Sequence, residues 1–507
     1  MNRGAPTTGA RRLRPKRLGI ETLNEAHVFL HRDSPISRAE GFSAHSRVLI
    51  SANNRTMVAT LYHLTGDMLS IDEAGLSEQA WQQLGLCEND TLQIEHAPPV
   101  DSLRYLRSKV YGHDLAPNAF DAILGDIAHG EYSNIHLAAF ITACAARPLK
   151  LEEIHSLTEA MIKVGDRLQW PATPVADKHS IGGLPGNRTT PIVVSILAAC
   201  GITIPKTSSR AITSPAGTAD MMETLTNVTL DVNAMRRVVE REGGCIVWGG
   251  AVRLSPTDDI LIRIERVLDL DAEGQLVASI LSKKIAAGAT HLVLDIPVGP
   301  TAKVRSRETA DALTRTLLSV ANSFGLKTRT VLTDGLQPVG RGIGPSLEAR
   351  DVLAVLQGNP AAPADLKEHA LLLAGNLLEL TGAAPEGKGL ALGTSVLESG
   401  KAWSKFQRIC EAQGGMQTPP VAPYREPVLA GSAGIVDRID NRRLAQIAKL
   451  AGAPDDKAAG LDIHVRIGER VMEDQPLYTI HAQSVGELEY ALEFAKCGGA
   501  IVGIERA

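Results

Sequence analysis

The segment from Asp177 to Pro191 carries the side chains best suited to bind an anion. In chain order its polar or flexible residues of interest are Lys178, His179, Ser180, Gly183, Arg188, Thr189 and Thr190. The two threonines can cap a helix that starts at Pro191, so a glycine loop would lead into a helix N-terminus. Free N–H groups and the positive end of the helix dipole favour an anion there. The loop is neither a Walker A motif nor G-x-G-x-x-G, so the predicted anion is phosphate that need not belong to a nucleoside triphosphate. A plain strand–helix connection is the alternative.

A second segment, residues 206–220, is unusually rich in hydroxyl groups. Thr207, Ser208, Ser209, Thr213, Ser214 and Thr218 lie within it, together with Arg210. Hydroxyl donors beside a guanidinium suit an oxyanion or a sugar. A polar surface loop is the alternative interpretation of the same residues.

A third segment begins at Asp271 and continues into a predicted helix with Ser279, Lys283 and Lys284. A carboxyl group in a closed site can have a raised pKa and act as an acid. The alternatives are an N-cap aspartate and a solvated pair of lysines.

The elements that must position these residues fall into several domains, and the sequence predicts a multidomain α/β protein. Residues 1–17 are expected to be a disordered basic tail, and alternating short runs over 18–98 predict a β-rich domain. Helical spacing over 101–168 predicts a helical domain, joined by part of about 203–235. Strands alternating with helices over 172–412 predict a large α/β domain with a mainly parallel sheet. Residues 424–507 are predicted to form a C-terminal α+β domain.

Composition narrows the class of protein further. The 507 residues include 52 Lys+Arg and 57 Asp+Glu, a net charge of −5, which argues against a general nucleic-acid binder. No apolar stretch reaches the roughly 20 residues of a membrane span, and no signal peptide is expected, so we expect a cytoplasmic protein. The six cysteines are scattered without C-x-x-C spacing, and His27 and His31 lack a zinc motif, so no metal site is expected.

Three runs of residues resemble the thymidine and pyrimidine-nucleoside phosphorylase family. They are Lys178-His-Ser180 with its glycines, Ser-x-Arg and Gly-Thr-x-Asp within 208–220, and Ala278-Ser-Ile-Leu-Ser-Lys-Lys284. Segments at 126–131, 337–341 and 471–480 are also similar, so the resemblance covers about residues 102–507 in order. It implies phosphorolysis, in which inorganic phosphate attacks the anomeric carbon of a nucleoside and releases the free base.

The resemblance also implies roles for individual residues. Phosphate would be held by Lys178, Ser180, Thr189 or Thr190, Ser208 and Thr218, whereas Ser279 and Lys283 would contact the base. His179 matches a family histidine near the base that could assist proton transfer. Positioned phosphate and electrostatic stabilisation suffice for this chemistry. No cofactor is therefore expected, and phosphate is a co-substrate.

Other features look like the long branch of the family, which includes AMP phosphorylases. They are the N-terminal domain, similar to a double-psi barrel, a glycine loop one residue longer, and Ser214-Pro-Ala-Gly-Thr218. In that branch Asp271 matches the proposed proton donor. The nucleotide-binding positions match Gly183, Ser209, Arg210, Ala211, Ile212, Thr213, Ser214, Thr218, Ser279 and Lys303, and Arg188 could hold a 5′-phosphate. The C-terminal domain looks like a biotinyl- or lipoyl-type hammerhead without an attachment lysine.

We therefore expect conversion of thymidine and phosphate into thymine and 2-deoxyribose 1-phosphate. The alternative is AMP phosphorolysis to adenine and ribose 1,5-bisphosphate. A phosphoribosyltransferase-like enzyme would need an acidic metal–pyrophosphate site, and a non-catalytic nucleotide-binding protein would not need Lys178, Ser180, Asp271 and Lys283 together. The expected partners are a small nucleoside or nucleotide and phosphate, with a homodimer or higher homo-oligomer, and no nucleic acid or membrane.

Overall fold

A computed structural model of the chain describes residues 12–22, 25–171, 173–211, 214–270 and 272–505. The chain divides into two compact units. One contains residues 1–147 and 263–270, and the other contains residues 148–262 and 271–507. None of the helices in the described residues is long and apolar enough to cross a bilayer.

The first unit begins with a closed six-stranded barrel in the strand order β1-β5-β2-β4-β3-β6. Its elements are β1 (Arg12–Arg17), β2 (His27–His31), α1 (Pro35–Glu40), β3 (Arg47–Ala52), β4 (Arg55–Leu64), β5 (Glu73–Leu76), α2 (Glu78–Leu84) and β6 (Leu92–His96). Alternate residues such as Val28, Leu30, Val48 and Ile50 are fully buried, as the period of two predicted. The predicted β-rich domain is a barrel.

The predicted basic tail is corrected by β1, which pairs in parallel with β5. Leu13 and Pro15 alternate with the basic residues and are buried, so the charged side chains face outward while the apolar ones fill the barrel. Arg17 pairs with Glu78 across 2.6 Å. Residues 1–11 lie outside the described part of the chain, so the tail prediction stands untested there.

The first unit also contains helices α3 (Leu103–Val110), α4 (Pro117–Ala128) and α5 (Asn134–Ala146). Residues at helical spacing on α4, among them Phe120, Ile123 and Leu124, have no exposed surface. The predicted helical segment therefore exists, although its last helix, over 151–163, belongs to the second unit.

The second unit contains the α/β domain. In chain order its elements are α6 (Leu151–Lys163), β7 (Ala176–Ser180), α7 (Thr190–Ala199), β8 (Ile204–Ser208), α8 (Thr218–Glu223), α9 (Val232–Glu242), β9 (Gly244–Trp248), a 3-10 turn (Gly249–Val252), α10 (Pro256–Leu268, of which 263–268 belong to the first unit), α11 (Glu273–Ala286), β10 (His291–Val298), α12 (Arg307–Ser323), β11 (Lys327–Asp334), β12 (Gly342–Ile343), α13 (Pro345–Leu356), α14 (Ala364–Leu380), α15 (Gly389–Glu398) and α16 (Lys401–Ala412).

Its central strands are parallel, as predicted. The order is β11-β10-β7 in one sheet and β8-β9 in another. A parallel bridge between Val175 and Thr203 joins the two sheets next to β7 and β8. The carboxyl ends of β7 and β10 therefore lie side by side, where ligand sites occur in such sheets.

Part of about 203–235 was predicted to join the helical domain. Residues 204–208 of that segment form β8, and every residue of β8 pairs with a residue of β9, so this strand belongs to the α/β domain.

Helix α7 connects the core to the glycine loop. Its residues Ile192, Val193, Val194, Ile196 and Leu197 are all fully buried, because the helix packs against α14, α16 and the strands. A helix buried on all sides has little freedom to shift, so its N-terminus has a fixed position.

The chain ends in an α+β domain, also as predicted. Its elements are β13 (Tyr424–Leu429), β14 (Gly434–Ile439), α17 (Asn441–Leu450), β15 (Gly460–Ile463), β16 (Arg470–Val471), β17 (Pro476–Ala482), α18 (Val485–Lys496) and β18 (Val502–Glu505). One sheet has the order β12-β15-β17-β13, so β12 of the α/β domain extends the C-terminal sheet. The predicted strand at 462–467 begins earlier and ends at Ile463.

Candidate active site

The glycine loop joins β7 to α7 and depends on close backbone approaches. Gly183 has φ +91°, and a Cβ there would lie 2.2 Å from the backbone nitrogen of Lys303. Gly186 has φ +71°, and a Cβ there would lie 2.2 Å from the carbonyl oxygen of Val339. Any other residue would push the loop away from these neighbours. Gly183 and Lys303, both predicted as substrate-binding, are thus adjacent.

Lys178 lies at the centre of the loop and is 2% exposed. Its Nζ donates a hydrogen bond to Thr189 Oγ1 over 2.7 Å. Burial lowers the pKa of Lys178 to about 8, because a desolvated ammonium is less stable; Asp295 partly offsets this, and Arg188 adds to it. Lys178 is therefore a poorly solvated cation beside the N-terminus of α7. Thr189 occupies the N-cap position of this helix without a capping hydrogen bond from its side chain, and the helix starts at Thr190, one residue before the predicted Pro191.

Arg188 links the loop to the second segment. Its Nη1 donates to Thr218 Oγ1 over 3.1 Å, and its Nη2 donates to the carbonyl oxygen of Ala216 over 3.0 Å. Its Nε pairs with Glu348 on α13 across 2.5 Å. Burial raises the pKa of Glu348 to about 7, and the Arg188 charge opposes that rise. The Arg188 charge is thus paired inside the protein.

Ser180 follows the same pattern as Thr189 and Thr218. Its Oγ accepts a hydrogen bond from Asn187 Nδ2 over 3.3 Å. Each of these three hydroxyl oxygens accepts a hydrogen bond from a side-chain nitrogen of Lys178, Asn187 or Arg188. Among the described residues, none of the three hydroxyls donates to a protein acceptor. A hydroxyl carries one proton, so each can still donate to an anion. The three hydroxyls form a set of oriented donors, and one of them, Thr189, is hydrogen-bonded to the Lys178 ammonium.

The 206–220 segment contributes one further hydroxyl. Ser208 ends β8, and its Oγ is buried without a hydrogen-bond partner in the described chain. A buried hydroxyl without a partner costs free energy unless a ligand satisfies it. Gly217, which precedes Thr218, has space only for hydrogen, because a Cβ would lie 2.5 Å from the Ser209 carbonyl oxygen.

Arg210 forms several contacts within the protein. Its guanidinium forms two hydrogen bonds to Glu223, of 2.8 and 2.7 Å, and lies 4.9 Å from the ring centroid of Trp248. These contacts support the loop. The Asp220 carboxylate does the same by accepting from the backbone nitrogens of Ala211 and Gly217. Ser214 Oγ donates to the Ala216 carbonyl oxygen.

The third segment brings α11 toward the end of β7. Lys284 Nζ lies 3.0 Å from Asp177 Oδ2, and Lys206 Nζ lies 3.1 Å from Asp177 Oδ1. Although burial alone would raise it, the two lysine charges hold the pKa of Asp177 below its usual range. The neighbouring Lys283 pairs with Asp258 on α10 across 2.5 Å. Ser279 is half-buried one turn earlier on the same helix.

His179 lies among four lysines. Burial and the charges of Lys284, Lys206, Lys283 and Lys178 hold the pKa of His179 well below its usual value. The imidazole is therefore neutral at pH 7 and can donate one hydrogen bond and accept another.

Some predicted residues cannot be placed. Asp271, Ile212 and Thr213 lie outside the described residues. In the part of the chain that is described, no group of three or more His, Cys, Asp or Glu side chains could hold a metal ion.

Sequence reasoning missed the residues that support the site. Asp295 on β10 has no exposed surface and accepts hydrogen bonds from Thr333, His369 and Asn187. A lone acidic residue in the apolar run His-Leu-Val-Leu-Asp-Ile-Pro-Val is a usable signal. Glu348 and His369 give none, because each comes from a helix more than 150 residues after the loop.

The chain is similar to known proteins over nearly its whole length. Residues 172–403 match the family described as "Glycosyl transferase family, a/b domain", residues 103–165 the "Glycosyl transferase family, helical bundle domain", and residues 435–500 the "Pyrimidine nucleoside phosphorylase C-terminal domain". A protein of Polaromonas sp. (strain JS666 / ATCC BAA-500) named "Putative thymidine phosphorylase" is 60% identical, over 96% of this chain and 95% of that protein. One of Acidovorax sp. (strain JS42) named "Putative thymidine phosphorylase 1" is 59% identical, over 95% and 94%.

Solved structures share the fold at low sequence identity. Anthranilate phosphoribosyltransferase from Thermus thermophilus superposes with a TM-score of 0.52 at 20% identity, covering 61% of this chain and 98% of that one. The enzyme from Saccharomyces cerevisiae, solved with PRPP and Mg, gives 0.51 at 16% identity, with coverage of 62% and 98%.

Proposed function

The chain belongs to the thymidine phosphorylase family of glycosyl transferase family 3, and we propose that it is a pentosyltransferase that cleaves thymidine with inorganic phosphate. The C1′–N1 bond of the nucleoside breaks, and a phosphate oxygen bonds to C1′. The products are thymine and 2-deoxyribose 1-phosphate. The observation that carries this proposal is the set of three oriented hydroxyls, one of which is hydrogen-bonded to the buried cation of Lys178.

Phosphate is proposed to bind at the glycine loop. Lys178 supplies the positive charge, and the hydroxyls of Ser180, Thr189 and Thr218 donate hydrogen bonds to the phosphate oxygens. The Ser208 hydroxyl, which has no partner in the described chain, would form a hydrogen bond to the phosphate. The N-terminus of α7 at Thr190 adds the positive end of the helix dipole. Holding the nucleophile in place removes much of the entropic part of the barrier.

The base is proposed to bind on the α11 side. Ser279 and Lys283 would contact the pyrimidine, and neutral His179 would form a hydrogen bond to it. As C1′–N1 breaks, negative charge develops on the base, and the lysine-rich surroundings of His179 stabilise that charge. Asp271 is proposed as the proton donor to the departing base, and Ser209, Arg210, Ala211, Ile212, Thr213 and Ser214 as the loop that surrounds the substrate.

A nucleotide substrate is not favoured. Holding the 5′-phosphate of AMP would call for an unbalanced positive charge, yet the Arg188 charge is paired with the buried carboxylate of Glu348. The similar proteins are named as thymidine phosphorylases. We therefore keep thymidine as the substrate.

The remaining assignments are also proposals. We propose that catalysis uses no cofactor or metal, that phosphate is the co-substrate, and that the protein acts in the cytoplasm as a homodimer or higher homo-oligomer. The barrel is proposed to have double-psi topology and the C-terminal domain a hammerhead fold with a structural role. The absence of a basic excess supports a small-molecule substrate in place of nucleic acid.

The test is release of free base from thymidine, uridine and AMP, each with and without inorganic phosphate. The proposal predicts thymine from thymidine in the presence of phosphate only. Adenine from AMP with no thymine from thymidine would assign the protein to nucleotide phosphorolysis. Phosphate-independent release would overturn the reaction class.

A further inference from the structure

We propose that Asn187 is a positioning residue that makes Ser180 a hydrogen-bond donor to the attacking phosphate, and that Asp295 fixes Asn187 in the required orientation. This inference rests on the proposed function, because it needs phosphate at Ser180. It concerns a side chain that the sequence motifs did not single out.

Asp295 is held as a carboxylate by its surroundings. Thr333 Oγ1 donates to its Oδ1 over 2.7 Å, and His369 Nε2 lies 3.1 Å from the same oxygen. Burial alone would raise the pKa of Asp295, but the His369 hydrogen bond and the Lys178 charge hold it far below its usual range. Its other oxygen, Oδ2, faces Asn187.

The carboxylate determines the direction of the Asn187 amide. A carboxylate only accepts hydrogen bonds, so the Nδ2 group of Asn187 must face it, and the two atoms lie 3.3 Å apart. The reverse orientation would place an amide oxygen against a carboxylate oxygen. The same Nδ2 lies 3.3 Å from Ser180 Oγ. Each amide proton therefore has one acceptor, and Asn187 Oδ1 is left buried without a partner in the described chain.

Ser180 is then oriented to donate its proton to a ligand. Its oxygen accepts from Asn187, which leaves its proton to donate. The direction of each hydrogen bond in this chain is therefore set by Asp295, first at Asn187 and then at Ser180. The chain ends in a Ser180 O–H that can donate to an anion.

The backbone conformation at Asn187 allows substitutions that leave the loop geometry unchanged. Its φ is +53°, a left-handed conformation that Asn and Asp both tolerate, and its backbone nitrogen donates to the Val339 carbonyl oxygen over 2.8 Å. Asn187→Asp keeps the size and the backbone geometry, and it replaces the amide donor by an acceptor that draws the Ser180 proton toward itself. It also sets a second carboxylate oxygen against Asp295 Oδ2. Asn187→Gly, which removes the amide without adding a charge and fits the left-handed backbone, is therefore measured beside it.

The experiment compares Asn187→Asp with the wild-type protein by phosphate and thymidine kinetics. We expect the KM for phosphate to rise about 10- to 100-fold, the range for losing a hydrogen bond to a charged group. The KM for thymidine should change less than about twofold. The matched control is Asn359→Asp, an exposed position whose Oδ1 accepts from the Ala361 nitrogen as an aspartate oxygen would. It should leave both constants unchanged.

A double-substitution cycle tests whether Asn187 acts through Ser180. Ser180→Ala and Asn187→Gly together should raise the phosphate KM no more than Ser180→Ala alone, because the proton in question is then absent and Asn187→Gly adds no charge. Additive effects, or equal changes in both KM values, would overturn the inference. Calorimetric titration of inorganic phosphate alone gives a readout independent of turnover. A wild-type protein without phosphorolysis would refute the proposed function itself, whereas an active wild type with normal phosphate binding by Asn187→Asp refutes only this inference.

Discussion

Lys178 Nζ and Thr189 Oγ1 are joined by a 2.7 Å hydrogen bond that ties the strand β7 to the start of α7. Both residues are buried. The contact places a desolvated cation, a hydroxyl and a helix N-terminus at one point, so three separate sources of anion affinity act together.

Phosphate affinity should fall as the pH rises through about 8. The Lys178 ammonium, with its pKa lowered to about 8, is charged below that value and neutral above it. Above about pH 7.5 phosphate is already mainly dianionic, so further losses reflect the protein. We expect the KM for phosphate to increase about tenfold per pH unit above 8, measured by initial rates from pH 7.5 to 9.5. A phosphate KM that stays constant to pH 9.5 would contradict the assignment.

Ser208→Ala should weaken phosphate binding without destabilising the fold. The Ser208 hydroxyl has no protein partner among the described residues, so its removal breaks no hydrogen bond within the chain. We expect the free energy of unfolding to change by less than about 0.5 kcal/mol and the phosphate KM to rise about tenfold. Thermal unfolding and kinetics measure the two effects.

Ser195→Ala is the matched control for that substitution. Ser195 is buried on α7, and its Oγ donates to the Pro191 carbonyl oxygen, so its proton is already used within the helix. It should leave the phosphate KM unchanged. An equal rise in both variants would show that Ser208 acts through packing.

Arg188→Met should destabilise the protein more than Arg188→Met combined with Glu348→Leu. Removing Arg188 alone leaves a buried carboxylate unpaired, at a cost of about 3–5 kcal/mol, whereas removing both charges avoids that penalty. Urea unfolding measures the difference. The double variant should still bind phosphate poorly, because Thr218 has lost the donor behind it. A double variant no more stable than Arg188→Met would contradict the paired-charge account.

Asp271→Asn should reduce turnover about 10²- to 10⁴-fold if Asp271 protonates the departing base. His179→Gln should reduce it less, because the imidazole is neutral at pH 7 and can supply a hydrogen bond but not an acidic proton. Single-turnover rates for thymidine give both values. The opposite order would transfer the proton role to His179.

The sequence predicted the elements that carry a local pattern. Period-two alternation over 18–98 predicted the β-rich domain that forms the barrel, and alternating strands and helices over 172–412 predicted the parallel sheet to which β10 and β11 belong. The binding residues of the glycine loop could be predicted from their types, because they lie within one strand–loop–helix unit. In such a unit, residues close in sequence are also close in space. Lys178 and Thr189 are such a pair.

Long-range partners could not be predicted in the same way. Glu348 and His369 reach the site only through the packing of α13 and α14, which no local pattern encodes. The charge of the basic residues in β1 led to the prediction of a tail. The alternation of Leu13 and Pro15 with those residues indicates a strand instead. The contacts of the Arg210 guanidinium with Glu223 and Trp248 could not be predicted either, because those residues lie on other elements of the fold.

Phosphorus NMR of a reaction with thymidine and ¹⁸O-labelled phosphate tests the central claim most directly. The account predicts that inorganic phosphate is consumed and that 2-deoxyribose 1-phosphate forms with all four labelled oxygens, because a phosphate oxygen attacks C1′. Thymine should appear in equal amount. Formation of free 2-deoxyribose while the labelled phosphate signal stays unchanged would show that water is the nucleophile, and would contradict the account.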